Sequence, residues 1–104
     1  MNTTIMEYNY SANRYEPVGV KAAAYPIPGL VLAGKRGGYY LYHAESGQTL
    51  QAHASPLPTI KAGKDLAKIL APLADWTRPA SELAPDSELC NSVRKVYQEA
   101  GYYS

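Results

Sequence analysis

The sequence predicts an α+β fold: a three-stranded antiparallel β-meander, with a fourth strand as an option, covered by one helix and followed by a second, C-terminal helix. Three observations carry this. Short β-prone runs recur through the first half of the chain, separated by glycine-bearing turn segments. After Pro58, and again up to Gly101, apolar residues recur at helical spacing. The composition, 46% hydrophobic and 18% charged over 104 residues, is that of one globular domain with one core, not of a disordered chain.

Residues 1–17 are polar and tyrosine-bearing and read as an N-terminal arm, mobile or forming a short edge strand, ahead of a single domain over 18–104. Residues 18–25 are the optional extra strand, which Pro26 and Pro28 stop. Strands are expected at 30–35, 39–44 and 49–54, with turns at 35–38 and 45–48 where glycines supply positive φ. Strict alternation then places Leu30, Leu32, Leu41, Leu50 and Ala52 on a greasy face. Tyr40, Tyr42, Thr49, Gln51 and His53 fall on a polar, tyrosine-rich one. Residues 55–58 form a stiff proline link, and Thr59 caps a helix whose stripe Ala62, Leu66, Ile69, Leu70 and Leu73 should cover the greasy face. Pro72 kinks that helix or restarts it from a first-turn position, and Trp76 closes the core. The last helix starts near Pro85 and Asp86 and ends at Gly101. Leu89, Val93, Val96, Tyr97 and Ala100 form its stripe, with Cys90 beside them as a small buried or half-buried hydrophobe.

Motifs for chemistry are sparse. Gly29 to Lys35 matches seven positions of the phosphate-binding loop G-x-x-x-x-G-K-[ST], but Leu30 to Ala33 is strand material and Arg36 stands where the magnesium-binding hydroxyl belongs. A strand running into a hairpin accounts for it. His43 and His53 offer too few ligands for zinc and fall out of phase with each other, so exposed or hydrogen-bonded sheet histidines are expected. Cys90 has no histidine near it in sequence, and Ser46 lacks a G-x-S-x-G elbow. No catalytic residue, cofactor or metal site is therefore assigned.

A single cysteine excludes an internal disulfide, and no leader-like or membrane-spanning run is present, so a cytoplasmic protein without membrane contact is expected. Ten lysines and arginines against nine acids give a net charge of +1, too little for a bulk attraction to nucleic acid. Ten tyrosines with no phenylalanine point instead to rings half exposed at a binding face, since a buried hydroxyl needs a partner. The candidate binding residues are Tyr40, Tyr42 and His53 on the sheet, Lys35 and Arg36 at a hairpin tip, and Lys61, Lys64 and Lys68 along one helix face. The first functional expectation is a non-enzymatic module that binds a larger host protein or complex. The alternative is sheet-based DNA or RNA binding, with lysines on phosphates and rings on bases.

In strand-and-helix order, residues 38–73, with Pro58-Thr59-Ile60-Lys61-Ala62 leading the helix, resemble the three-stranded-sheet DNA-binding modules at the N-termini of phage-type integrases. That resemblance implies a sheet that binds DNA, though the basic strand residues usual in such modules are missing here. In size and style, one compact domain without chemistry of its own, the chain resembles phage and plasmid accessory proteins and host-factor inhibitors, including anti-CRISPR proteins. This second resemblance implies an inhibitor or regulator that docks on a host factor.

Overall fold

The structure, a computed structural model, describes residues 2–35, 37–51 and 54–103, with Lys35 described by its backbone alone. Strands β1 (Asn2–Asn9), β2 (Arg14–Ile27), β3 (Leu30–Lys35) and β4 (Gly38–His43) form a four-stranded antiparallel sheet in sequence order. Helix α1 (Ile60–Leu70) runs into a single 3-10 turn (Ala71–Leu73), and α2 (Ala80–Leu83) and α3 (Ser87–Glu99) follow. The α+β class and the meander expected from sequence are both present.

The membership of the meander differs from expectation. Residues 49–54 do not form its last strand. Thr49 bridges Tyr42, after which Ser55 donates its N–H to Tyr102 O at 2.6 Å and Ala54 bridges Tyr103, so the segment turns to the C-terminal tail. It returns to β4 only at Leu57, which exchanges hydrogen bonds with Tyr39 at 2.8 and 2.9 Å. At the other end of the chain, β1 pairs with β2 from Asn2↔Lys21 to Asn9↔Arg14, so the edge-strand reading of the first residues describes them. The turn between them is an Asx type: Asn9 Oδ1 accepts from the N–H groups of Ser11 and Ala12 at 2.9 and 3.2 Å, and Asn13 takes φ 55°.

β2 serves two ladders in succession. Its first half pairs with β1 and its second, from Ala22 to Ile27, with β3, through two register shifts. Pro17 is tolerated because it lies where β2 has β1 on one side and no β3 partner on the other. The irregular second half bends the strand, and the β1–β2 hairpin folds over the sheet face opposite the helices. There Ile5 packs on Val31, Ala33 and Tyr42, with Val18, Val20, Ala22 and Tyr40 around them. Met6 N–H donates to Gly47 O at 2.8 Å, tying β1 to the turn beyond β4.

The sheet therefore has a core on each face. The helix side joins Leu30, Leu32 and Leu41 to Leu57, Leu66, Ala67, Leu70, Trp76, Leu89, Val93 and Tyr97. Leu30, Leu32 and Leu41 lie on the greasy face as expected, but the other face is not simply polar: Val31 and Ala33 are 0% exposed beneath the hairpin.

Thr59 Oγ1 accepts from Ala62 N–H at 3.0 Å, the cap that the sequence predicts. The buried face of α1 is nevertheless Gly63, Leu66, Ala67 and Leu70, and Ile69 is 55% exposed. Small residues at 63 and 67 let the helix settle close to the sheet, where a Cβ on Gly63 would stand 2.6 Å from a Leu32 methyl, so the helix is rolled away from the Ile69 side. Pro72 occupies the first positions of the 3-10 turn, and Trp76 donates its indole N–H to Leu70 O at 2.9 Å, satisfying a carbonyl that the helix end leaves open. Asp86 caps α3, and Gly101 follows it at φ 88°.

Candidate functional site

The hairpin does not cover its face of the sheet completely. Between β1 and the 49–54 segment a slot of about 260 Å³ remains, lined by Tyr8, Tyr10, Tyr15, Tyr40, Tyr42 and Glu7, with Met6, Thr49, Gln51 and Ala54 completing it. Each ring owes its place to strand register. Tyr8 and Tyr15 are cross-strand partners, and their rings meet edge to face at 5.1 Å and 76°. Tyr10 continues past the strand end and meets Tyr8 at 4.9 Å and 73°. Tyr8 donates its hydroxyl to Asn13 Oδ1, which anchors the cluster to the turn. Tyr40 and Tyr42 alternate with the core residue Leu41 and so point from β4 into the space beneath the hairpin.

Exposure grades across the cluster. Tyr10 and Tyr15 are 88% and 61% exposed, whereas Tyr42 is 4% exposed and belongs to the core under the hairpin. Burial, then the Glu7 carboxylate, then Tyr40 push the Tyr42 phenol up from 10.0 to about 12, because each disfavours a second negative charge there. The phenol is therefore neutral at physiological pH and its hydroxyl carries a proton.

A second cavity, also about 260 Å³, lies on the helix side among His43, Ser46, Leu50, Trp76, Leu83, Leu89, Cys90 and Val93. His43 is buried there, and its geometry fixes its tautomer. Nδ1 lies 3.3 Å from the Ser46 backbone N–H and so accepts, which leaves Nε2–H to donate to Arg78 O at 2.8 Å. The Ser46 hydroxyl, 2.8 Å from Nδ1, donates to it and accepts from Gln48 N–H at 3.2 Å. A histidine beside a hydroxyl is the outline of a base and nucleophile. Here the contacts run within one turn, which His43 pins to the segment before α2. Cys90, expected to be at least half buried, is exposed, because α3 turns Leu89 and Val93 inward and Cys90 out, with Sγ 3.6 Å from Ala84 O. Among the described residues no three His, Cys, Asp or Glu side chains gather as a metal site would require. No helix among them is long and apolar enough to cross a membrane.

The residues singled out in the sequence do not form one surface. Tyr40 and Tyr42 enter the slot. Lys61, Lys64 and Lys68 are exposed on the outer side of α1, which packs by its opposite face on the other side of the sheet. Lys61 is paired with Asp65 at 2.8 Å. Arg36 and His53 lie outside the described residues, as does the side chain of Lys35. Sequence reasoning missed Glu7, Tyr8, Tyr10 and Tyr15. Their signal was the symmetry of Tyr8 and Tyr15 about the Asn-bearing turn, which a hairpin centred on residues 10–13 would have brought together. Compared with known proteins, the chain finds no significant match: no family model, no curated protein and no solved structure.

Proposed function

We propose that this chain is a cytoplasmic, non-enzymatic protein-binding module that docks a larger protein through the tyrosine-lined slot and the hairpin bounding it. The observation that carries this reading is the convergence of five of the chain's tyrosines on one cavity, two of them largely exposed. Tyrosine buries a large area while losing few rotamers, and its hydroxyl finds a partner in a polar rim, which is why it is enriched at protein interfaces. The backbone under the rings is fixed by paired strands and by the Met6 to Gly47 hydrogen bond, so docking there costs little further ordering.

The placement of charge speaks against nucleic acid. A strand-binding surface needs cations tracking phosphates beside stacking rings, but the lysines of α1 lie across the sheet from the tyrosines and the slot contains a carboxylate. Site-specific photocrosslinking in the native host tests the reading. A photoreactive group replacing Tyr10 is expected to crosslink to a defined protein, whereas one replacing Lys64 is not. Crosslinking to nucleic acid from either position, or to protein from Lys64 alone, would overturn it.

A further inference from the structure

The composition of the slot narrows what the partner presents, on the reading that this slot is the docking site. Aromatic ring faces carry negative potential, and a cation seated over them is attracted more strongly as it is desolvated. Five tyrosines supply such rings, and the near-perpendicular settings of Tyr8 against Tyr10 and Tyr15, 73° and 76°, make them walls of a cavity instead of a flat stack. Glu7 adds a carboxylate, and among the described residues no lysine, arginine or histidine lines the slot.

The acid is also in an unusual place. Glu7 stands directly across the β1–β2 ladder from Glu16, a like-charge pairing that disfavours the hairpin. Glu16 is offset by Arg14, 3.4 Å away, and by the Asn9 amide, while Glu7 is directed to the space it shares with Tyr40 and Tyr42. The negative charge of Glu7 is felt at Tyr42, whose proton it helps to retain. A volume of about 260 Å³ suits one side chain better than a drug-sized molecule.

We propose that the slot receives a lysine side chain of the partner protein, unmodified or Nε-methylated, with its ammonium group over the Tyr40 and Tyr42 rings and beside the Glu7 carboxylate and its stem between Tyr8 and Tyr15. An anionic anchor would meet Glu7, and a neutral apolar one would leave that carboxylate desolvated without compensation.

The test separates charge from shape. Nα-acetyl-trimethyllysine methylamide, the unmethylated amide, and a neutral analogue with carbon in place of the quaternary nitrogen are titrated into the intact protein, and the tyrosine ring signals are followed by NMR. Saturable shifts at Tyr40 and Tyr42 are expected with both cations, and the trimethylated one should bind about tenfold more tightly than its neutral analogue. Glu7→Gln should remove most of that preference, and Tyr40→Leu should weaken the cations while leaving the fold intact. Equal binding of the neutral analogue, or no saturable shift with either cation, would overturn the proposal. If the cations fail while replacing Tyr10 and Tyr15 still abolishes partner binding, the cationic anchor falls and the docking reading survives. If the cations bind but those replacements leave the partner unaffected, the docking reading falls instead.

Discussion

The two faces of the sheet are built from alternate residues of the same two strands, yet they have different ends. On the helix side Leu30, Leu32 and Leu41 meet α1 and α3 in a continuous aliphatic core closed by Trp76. On the hairpin side Val31, Ala33 and Tyr42 meet one large aliphatic residue, Ile5, and a ring of half-buried neighbours. Helices present a broad side-chain surface and seal what they cover. A two-stranded hairpin is narrower, so it seals the middle of the sheet and leaves a slot at its rim. The helix side is thus scaffold, and the hairpin side combines a small core with a surface of polar aromatic rings.

The largest expected effect lies on the scaffold side. Leu70 is fully buried, so Leu70→Ala should cost roughly 2 to 5 kcal/mol in chemical denaturation. Ile69, next to it in sequence but turned to solvent, should cost less than about 1 kcal/mol when replaced by alanine. On the hairpin side, Ile5→Ala removes the one large aliphatic residue of a core whose neighbours can close in. About 2 kcal/mol is expected, with amide exchange accelerating in β1 before it does in α1. A loss as large as that at Leu70, with uniform exchange, would mean that the two faces are a single cooperative unit.

Gly63→Ala sharpens the comparison because helix propensity and packing oppose each other. Alanine favours a helix by about 1 kcal/mol over glycine. Here its Cβ would stand 2.6 and 2.7 Å from the two methyls of fully buried Leu32, so a net destabilisation of about 1 kcal/mol is expected, read as a lower denaturation midpoint. A smaller effect is expected at alkaline pH. The folded protein keeps the Tyr42 proton to about 12, whereas the unfolded chain releases it near 10.0. Between those values the unfolded state binds fewer protons, so stability falls as pH rises across that window and is unaffected by this group below it. Burial pushes the Tyr97 phenol up as well and adds to the same fall. Denaturation midpoints measured in steps across this range should decline less steeply for Tyr42→Phe.

The scaffold was the more legible half. Thr59, Asp86 and Gly101 mark helix ends by local chemistry, and Leu30, Leu32 and Leu41 announce their face by alternation, so short-range rules suffice. The rolled face of α1 was not legible, because a glycine reads as a helix breaker until the close approach of Leu32 is known. Residues 49–54 have strand composition but spend their hydrogen bonds on the C-terminal tail, a long-range competition that local pattern does not contain. The slot was half legible. Tyr40 and Tyr42 were found from β4 alone, but Tyr8, Tyr10, Tyr15 and Glu7 reach them only because β2 bends and carries the hairpin across the sheet. The lysines of α1 looked adjacent to the tyrosines because sequence places them on one list of exposed groups, and the intervening sheet separates them.

The central claim, that the hairpin face is the docking surface and the helix face its scaffold, is tested most directly by the affinity of the crosslinked partner for two double variants. Tyr10→Ala with Tyr15→Ala removes exposed rings without touching either core, and should weaken binding by about 30-fold or more, the equivalent of about 2 kcal/mol, mainly through faster dissociation. Lys64→Ala with Lys68→Ala should change it less than about threefold, with only a modest dependence on salt. The reverse pattern, with binding lost in the lysine pair, retained in the tyrosine pair and falling steeply with salt, would contradict the account.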